Sequence, residues 1–597
     1  MEPHQPRRVT DLLKFSDRGD IDEFVAALRK FESGEMSPDA FRSFRLARGT
    51  YGQRQMDVNM IRVKIPQGVL TPHGLEQLAL VADKYSRGYG HVTTRQNVQL
   101  HMVKLDKAAE VMELLAEAGL TTREACGNTV RTVTASAHSG LHPDGLFDVT
   151  PYGLALTRHF LRNPICQALP RKFKIALSCC ATDCAFGAIH DVGLTARTRV
   201  AADGSVEHGF RMAVGGGLST SPEDAHLLAE FVPARHLLAY CEAVVRVFDA
   251  HGNRQNKARA RLKYVIRKQD WDGFKALWQS ALDGIVVDGR LDNAIDVTPL
   301  PTAVPPASTA AEIAAAAAGP GTDPPALARF RATNVQRQTQ PGHVMVAVRL
   351  DRGDITAAQL RALAGIAREF ADGTVRAIVD QNMLLRWVPE HWVVQLHAAL
   401  SAVGLGEADA GRVADVTSCP GSDTCNLAVT GSRDLALALT RKLREAAGNG
   451  AASAVAAADS LVIKVSGCPN SCGQHHIAGI GFHGTVRRLG GKVLPEYQMH
   501  LGGGIDGNGA TFGRHVVKVP ARRAPEALLR LLQLYERERA AGEAPHLYFR
   551  RVSEELVKAA VKDLTDIDES NARPEDYIDL GAEQSFVVAI GEGECAT

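Results

Sequence analysis

Four cysteines, arranged in two pairs, are the residues of this sequence whose types and spacing most clearly predict chemistry. Cys419 and Cys425 lie in "TSCPGSDTC", and Cys468 and Cys472 lie in "GCPNSCG". Both stretches are rich in Pro, Gly, Asn and Ser, which favour turns, so backbone N–H groups can point toward bound sulfur atoms. Four thiolates can bind zinc or an iron–sulfur cluster. Four buried, unliganded thiols are the plainer alternative.

The spacing of the two pairs favours a cluster over zinc. Structural zinc sites usually separate both pairs by two to four residues, whereas five residues lie between Cys419 and Cys425 and three between Cys468 and Cys472. The chain has 11 cysteines, and its first segment, "MEPHQPRRVTDLLKF", lacks the apolar core of a signal peptide. We therefore expect a cytoplasmic protein whose cysteines are thiols or metal ligands.

The composition argues against two classes of partner. The 597 residues are 45% hydrophobic and 23% charged, with a formal net charge of +1, which opposes a generally basic nucleic-acid binder. No run approaches the roughly 20 apolar residues of a membrane span. At about 150 residues per domain, the length corresponds to roughly four domains.

The sequence contains one pattern twice. Residues 59–86 and 344–371 both show an alternating apolar strand pattern, a Gly-containing turn and a helical pattern. Three further pairs of segments recur in the same order at an offset close to 285 residues: 93–101 with 378–386, 174–184 with 462–472, and 210–219 with 497–506. Four ordered matches at a nearly constant offset indicate an internal duplication.

The fold class predicted from this pattern is α+β, with two fused pseudo-symmetric repeats. Each repeat begins with a small strand–helix unit and continues as a larger mixed unit, and a Pro- and Ala-rich linker separates the repeats. The expected segments are an N-terminal arm (1–50), a first small unit (51–135), a first large unit (136–297), the linker (298–325), a second small unit (326–410), a second large unit (411–545) and a C-terminal extension (546–597).

The pattern C-x5-C followed by G-C-P-N-x-C resembles the siroheme and 4Fe–4S signature of the sulfite and nitrite reductase hemoprotein family. The resemblance extends from about residue 45 to 545, and that family is also built from two fused copies of a ferredoxin-like half-domain and a larger siroheme- and cluster-binding domain. It implies that all four cysteines bind the cluster and that Cys472 also bridges it to the siroheme iron. The implied activity is six-electron reduction of sulfite to sulfide in sulfur assimilation, with nitrite reduction to ammonia as the alternative.

Basic residues of the first repeat are candidates for binding the anionic substrate and passing protons to it. Taken singly, each would more often be a solvated surface charge. Three second-repeat counterparts are not basic: Asp380, Ala414 and Val462. The resemblance implies a catalytic set of Arg95, Arg131, Lys172 and Lys174. Nitrite reductases of the family tend to carry Asn at the position of Lys174, so this residue favours sulfite.

Siroheme carries eight carboxylates, so its pocket should be basic and rich in amide donors. Gly502 to Gly504 would let the backbone approach the macrocycle closely. The contacts that the resemblance implies are Arg171, Gln96, Gln99, Asn470, His500, Gly502 and Gly503.

The electron donor is expected to be a separate protein. We find no convincing flavin or nicotinamide motif, and the two repeats occupy the room that such a domain would need. Ferredoxin and a flavoprotein are both compatible with the sequence. A non-enzymatic alternative is a metal-binding or redox-sensing scaffold with four cysteines, which the basic residues oppose because a sensor needs no anion site.

The remaining cysteines predict less. The first repeat has Ser136 in place of Cys419 and no counterpart of Cys425, so its Cys179, Cys180 and Cys184 are interpreted as remnants or core thiols. Residues 585–590, "SFVVAI", are expected to form a strand ahead of a short mobile tail that carries Cys595. An inert thiol is the plainer interpretation of Cys595, and a sulfur acceptor in the substrate channel is the alternative.

Overall fold

The computed structural model describes residues 8–288, 295–317, 323–589, 591 and 594. Within these residues no helix combines the length and the apolar character needed to cross a membrane. The α-helices are Val9–Leu12, Arg18–Glu32, Pro38–Ala47, Pro72–Tyr85, Ala108–Glu117, Thr150–Phe160, Leu237–His251, Leu262–Asp288, Ala310–Ala317, Pro325–Asn334, Ala357–Phe370, Val393–Ala402, Ser432–Ala447, Ala452–Ala457, Ala524–Glu538, Pro545–Arg551, Glu554–Ala560 and Lys562–Thr565.

The two small units are five-stranded antiparallel sheets of matching order. The strands of the first, in spatial order, are Thr50–Gly52, Val58–Val63, Val98–Lys104, Tyr89–Val92 and Asp354–Thr356. The strands of the second are Val335–Arg337, His343–Val348, Met383–Pro389, Val375–Ala377 and Val69–Leu70. Each sheet thus takes its last strand from the other repeat, and the two units share one apolar core.

The predicted strand–turn–helix pattern is present in both repeats. Helices Pro72–Tyr85 and Ala357–Phe370 begin at threonine caps, because Thr71 and Thr356 accept hydrogen bonds from backbone N–H groups of the first turn. The two helices pack against each other across the repeats. The N-terminal arm adds two helices to the same core, and the Phe24 side chain of the first is fully buried there.

The large units also repeat one strand order. The first sheet consists of Thr134–Ala135, Ile175–Ser178, Val192–Val200, Val206–Val214 and His226–Pro233. The second consists of Thr417–Ser418, Ile463–Ser466, Ile480–Leu489, Lys492–Leu501 and Arg514–Pro520, beside a hairpin of Gly504–Asp506 and Gly509–Thr511. In both sheets the first three strands run parallel to one another. The fourth strand is antiparallel to the third, and the fifth is antiparallel to the fourth. Each sheet packs on its own helices and has its own core.

Gln96 and Gln381 occupy the same position in the two repeats and join them reciprocally. The Gln96 amide donates to the carbonyl oxygens of Ala135 (2.9 Å) and Ala377 (3.0 Å), and the Gln381 amide donates to that of Val92 (2.9 Å). Ala377 and Val92 are themselves equivalent residues of opposite repeats. Both N–H groups of Gln96 are engaged within the protein, so this side chain has a structural task at the junction, and its siroheme contact stays a prediction.

The C-terminal extension departs from its prediction. Residues 585–589 form no strand, and the Val587 side chain is 75% exposed. An apolar run alone does not make a strand when no neighbouring edge is there to pair with it. Glu594, expected in a mobile tail, accepts a hydrogen bond from Gly52 N (2.6 Å) and pairs with Arg45. Cys595 lies outside the described residues.

We expect Gln96→Ala and Gln381→Ala to lower the thermal unfolding midpoint of the cofactor-free protein by several degrees. Each substitution leaves buried backbone groups without partners, at about 1–3 kcal/mol for each unpaired group. Circular dichroism of the cofactor-free variants measures the change, and Gln279→Ala, at an exposed helix position, is the control. An unchanged midpoint for Gln96→Ala, combined with loss of siroheme, would contradict the structural task and support the predicted siroheme contact.

Candidate functional site

The four cysteines of the predicted cluster lie on two loops that the second large sheet brings together. Cys419 follows the strand Thr417–Ser418, and Cys425 lies on the same loop. Cys468 and Cys472 follow the strand Ile463–Ser466. These two strands are parallel neighbours, so both loops leave the same edge of the sheet.

The sulfur atoms lie among backbone N–H groups, as the turn-rich sequence predicts. Gly467 N lies 3.3 Å from Cys419 Sγ, and N–H groups also favour the ionised forms of Cys425 and Cys468. Burial acts in the opposite direction and raises the pKa of the Cys425 thiol to about 11. Thiolates at these positions therefore need a positively charged group, such as a metal cluster, to stay ionised.

The spacing of these sulfur atoms suits a cluster rather than one metal ion. Among the described residues, no three of the four thiols come within 4.8 Å of one another, although two other groups in the chain do. A single zinc ion with Zn–S bonds of about 2.3 Å would hold its sulfur atoms roughly 3.8 Å apart. The donor set therefore fits a larger iron–sulfur cluster.

The first repeat holds both cysteine loops in place. Arg54 donates from its side chain to Ala428 O (2.7 Å) and from its backbone to Thr424 O (2.8 Å), on the loop that carries Cys425. Thr94 Oγ1 donates to the backbone oxygen of Cys472 (3.1 Å). Thr94 directly precedes Arg95, so the first candidate for anion binding is connected to the cluster loop through its neighbour.

The structure brings Arg95, Arg131, Lys172 and Lys174, the cation group, together near Cys472. A Cys472 thiolate is near enough to raise the pKa of Lys172, but burial outweighs it and lowers that pKa to about 8. Burial, with Arg131 nearby, lowers the pKa of Arg95 to about 9. The pKa of Lys174 falls well below its usual value because of burial and its cationic neighbours. Crowded cations of this kind are typical of a site for an anion.

Backbone carbonyl groups anchor the two arginines. Arg95 donates to Thr132 O (2.5 Å) and to the Thr134 hydroxyl (3.1 Å). Arg131 donates to Gly127 O (2.9 Å) and Ala125 O (3.1 Å). These bonds fix the guanidinium planes before any ligand binds, which is the preorganisation that an anion site needs.

Three residues of this region were not singled out from the sequence. His190 contacts the Arg95 guanidinium. Asp191 accepts hydrogen bonds from the backbone N–H of Lys174 (2.8 Å) and from Arg261 (2.8 Å). Asp191 therefore positions the lysine backbone and places a fifth cation beside it. His190 and Asp191 are not part of a recognisable sequence motif, so only the fold shows that they contact the cation group.

Other predicted siroheme contacts lie in varied surroundings. Asn470 is exposed and accepts a hydrogen bond from the Ser219 hydroxyl of the first repeat (3.2 Å). Arg171 lies close enough to Lys172 to lower its pKa. Gln99 Oε1 and Thr132 Oγ1 are buried without a hydrogen-bond partner. Buried polar atoms without partners in the first repeat fit a polar cofactor.

The "HLGGG" segment serves the fold of the chain itself. A Cβ atom on Gly502 would lie 2.7 Å from Arg550 Cα, and one on Gly503 would lie 2.4 Å from His476 O. His500 is fully buried, with one ring nitrogen facing Gly513 O and the other facing His483. Backbone atoms of the chain therefore lie against both glycines, and the cofactor contacts predicted for Gly502, Gly503 and His500 stay predictions.

The second repeat carries an ion pair where the first carries the cation group. Asp380, the counterpart of Arg95, lies 3.0 Å from Lys464 Nζ, which also donates to Gln474 Oε1 (3.3 Å). This lysine charge already has a partner. The pseudo-symmetric position therefore offers no comparable attraction for a free anion.

The first-repeat thiols lie close together. Cys180 Sγ and Cys184 Sγ are 3.6 Å apart, and Cys179 donates to Ser136 Oγ (3.2 Å). Ser136, the counterpart of Cys419, faces the group with a hydroxyl in place of a sulfur. The interpretation of these thiols as remnants or core residues stays a prediction, because the three sulfur atoms are close enough together to hold a metal ion.

Comparison with known proteins gives this arrangement its family. The nitrite and sulphite reductase 4Fe-4S domain matches residues 126–284 and 410–562, and the nitrite/sulfite reductase ferredoxin-like half domain matches 51–118 and 336–403. The chain belongs to the nitrite and sulfite reductase family. It is therefore an oxidoreductase whose cofactors are siroheme and a 4Fe–4S cluster, and the predicted duplicated α+β fold is confirmed.

Relatives of this reductase include enzymes named for either anion. The sulfite reductase [ferredoxin] 1 of Mycolicibacterium paratuberculosis is 27% identical over 508 residues, covering 84% of this chain and 83% of that one. The assimilatory ferredoxin-dependent nitrite reductase of Haloferax mediterranei is 30% identical over 516 residues, covering 83% and 82%. The structure of the Mycobacterium tuberculosis NirA protein superposes with a TM-score of 0.74 at 25% identity, over 93% of this chain and 98% of that one.

We expect the double variant Cys180→Ser, Cys184→Ser to keep the iron content and the spectrum of the wild type. One siroheme and one 4Fe–4S cluster give about five iron atoms per chain, none of them bound by these thiols. Cys468→Ser is the matched comparison and should lose most of the cluster iron. Metal analysis and absorption spectra of the folded proteins decide. Iron for two clusters in the wild type, or iron loss in the double variant, would contradict the assignment.

Proposed function

We propose that this reductase converts sulfite to sulfide in sulfur assimilation, with reduced ferredoxin as its electron donor. The observation that carries the proposal is the cation group of the first repeat, gathered near Cys472 of the second. Sulfite is a small, highly charged oxyanion whose reduction consumes six electrons and at least as many protons. It needs a strongly positive site beside an electron store, and this pocket combines the two.

The arginines and lysines of the cation group have different tasks in this proposal. Arg95 and Arg131 have fixed guanidinium planes that hold and orient oxyanion oxygens. Lys172 and Lys174 have lowered pKa values, so their ammonium groups release protons more readily than exposed lysines do. Each lysine can thus donate a proton to an oxygen as its bond to sulfur breaks.

The cofactors fit the residues that surround this pocket. When bound, the siroheme and the cluster supply an iron centre for the anion and a store for electrons that arrive one at a time. Cys419, Cys425, Cys468 and Cys472 would hold the cluster, and Arg171, Asn470 and Gln99 remain candidates for the siroheme side chains. Thr94 keeps the Cys472 loop next to Arg95, so the protein itself fixes the distance between the anion site and the electron store.

Nitrite reduction to ammonia is the alternative, and one finding favours it. A relative named as a nitrite reductase has 30% identity, slightly above the 27% of the relative named as a sulfite reductase. Nitrite carries a single negative charge, so its binding needs a less positive electrostatic potential in the pocket. The buried charge of Lys174 supports sulfite, because a singly charged substrate would not require a lysine there.

We expect Lys174→Asn to shift the ratio of sulfite to nitrite turnover toward nitrite by roughly tenfold. A hydrogen bond to a charged group contributes about 1.5–3 kcal/mol, and the doubly charged sulfite loses more of this energy than nitrite does. The measurement is kcat/KM for each anion with the reconstituted variant. Lys464→Asn is the control, because it removes a buried lysine that pairs with Asp380. An unchanged ratio in Lys174→Asn would refute the role of Lys174.

We also expect reduced ferredoxin to support turnover and NADPH alone to support none. Several relatives carry ferredoxin in their names, and the sequence shows no nicotinamide motif. Stopped-flow oxidation of reduced ferredoxin by the enzyme and sulfite gives the rate. If turnover required an NADPH-oxidising flavoprotein and ferredoxin supported none, the flavoprotein would be the electron donor.

A further inference from the structure

Three buried histidines converge in the second large unit, outside the cation group and the cysteine loops. His475 begins the short turn that follows the Cys472 loop, His483 lies on the strand Ile480–Leu489, and His500 lies on Lys492–Leu501. Because Gly481 pairs with His500 in this antiparallel register, His483 and His500 are diagonal neighbours on one face of the sheet. We call these three residues the histidine triad.

The triad is nearly equilateral. The ring centroids are 4.9 Å apart for His475 and His483, 4.7 Å for His475 and His500, and 4.9 Å for His483 and His500. One nitrogen from each ring lies within 4.8 Å of the nitrogens of the other two. Three nitrogens around a common point are what a tetrahedral metal ion requires of three imidazoles.

His475 has no ordinary explanation as a core residue. Its side chain is fully buried, and neither ring nitrogen has a hydrogen-bond partner. A buried polar group without a partner costs about 1–3 kcal/mol, and His475 lies only three residues after Cys472. An unpartnered nitrogen that faces two other imidazoles points to a ligand between them.

The triad also has the protonation state and the outer contact of a metal site. Burial lowers the pKa of His483 to about 4 and that of His500 to about 2, and it lowers the pKa of His475 as well, so all three rings are neutral near pH 7. His500 Nδ1 faces the backbone oxygen of Gly513 at 3.4 Å, which turns Nε2 inward. A backbone carbonyl on the outer nitrogen is the usual support of a metal-bound histidine.

The chemistry of the donors selects the metal. No thiolate or carboxylate belongs to this group. Imidazoles suit zinc, copper, iron and nickel, and of these zinc is the ion that takes three histidines in a tetrahedral site. His483 Nδ1 and His500 Nε2 are 2.7 Å apart, whereas two nitrogens on one zinc ion are about 3.4 Å apart. Small rotations of the two rings supply the difference. We propose that His475, His483 and His500 bind one zinc ion.

The proposed zinc has a structural task. It would fasten the turn that follows Cys472 to two central strands of the sheet, and so stiffen the loop that presents Cys468 and Cys472. A water molecule or His515, whose ring centroid is 4.2 Å from that of His500, can complete the coordination. The equivalent positions of the first repeat are Gly187, Thr195 and Ala213, so the histidines are not repeated at those positions.

The test is zinc analysis of the enzyme as isolated, combined with zinc-edge X-ray absorption. We expect close to one zinc per chain with nitrogen or oxygen neighbours only, in addition to the iron. His475→Ala and His483→Ala should each lose at least 80% of the zinc. His101→Ala, which removes another buried histidine with two unpartnered nitrogens, should keep it. Circular dichroism shows that each variant is folded.

Three outcomes would overturn the proposal. They are no zinc in the wild type even after dialysis against zinc chloride, zinc with sulfur neighbours, and equal zinc loss in the His101→Ala control. The second outcome would mean that the ion occupies the cysteine site in place of iron. None of these measurements depends on which anion is reduced, so the result is independent of the proposed function.

Discussion

The contact between the two repeats is the constraint on which the rest of the structure depends. Gln96 and Gln381 each bind backbone groups across the junction, and each small sheet is completed by a strand of the other repeat. A Cβ atom on Gly68 would lie 2.1 Å from Ala377 O, and one on Gly353 would lie 2.6 Å from Val92 O. Neither position has room for a side chain. The cation group and Cys472 come from opposite repeats, so this contact sets the distance between them.

Duplication allowed the two copies of the site to diverge by a few substitutions. The first copy has Arg95 where the second has Asp380, and the second has Cys419 where the first has Ser136. Asp380 neutralises Lys464, and Ser136 places a hydroxyl beside the three thiols of the first copy where the second copy has a sulfur. In the proposed assignment, the first copy supplies the anion site and the second copy supplies the cluster ligands on a similar backbone. One complete site at the junction is the result.

The sequence was a good guide where a function requires particular residue types at fixed spacing. The cysteine pairs, the duplication and the strand–turn–helix pattern are all local in the chain. Local patterns could not show which atoms the glycines lie against, as at Gly502 and Gly503, where the structure places Arg550 and His476 next to them. Neither could they reveal the histidine triad, because its members come from three elements that only the sheet register brings together.

Electrostatics explains why the candidate site is incomplete without its anions. The cation group is crowded, and burial and mutual repulsion lower the pKa values of Arg95, Lys172 and Lys174. A lowered lysine pKa means that the folded protein disfavours the charged form, so at neutral pH these charges oppose folding. Siroheme carboxylates bound among these cations would favour their charged forms, so the same charges would then stabilise the folded protein. The pocket therefore holds a repulsion between cations that Asp191 offsets in part and that a bound anion would relieve further.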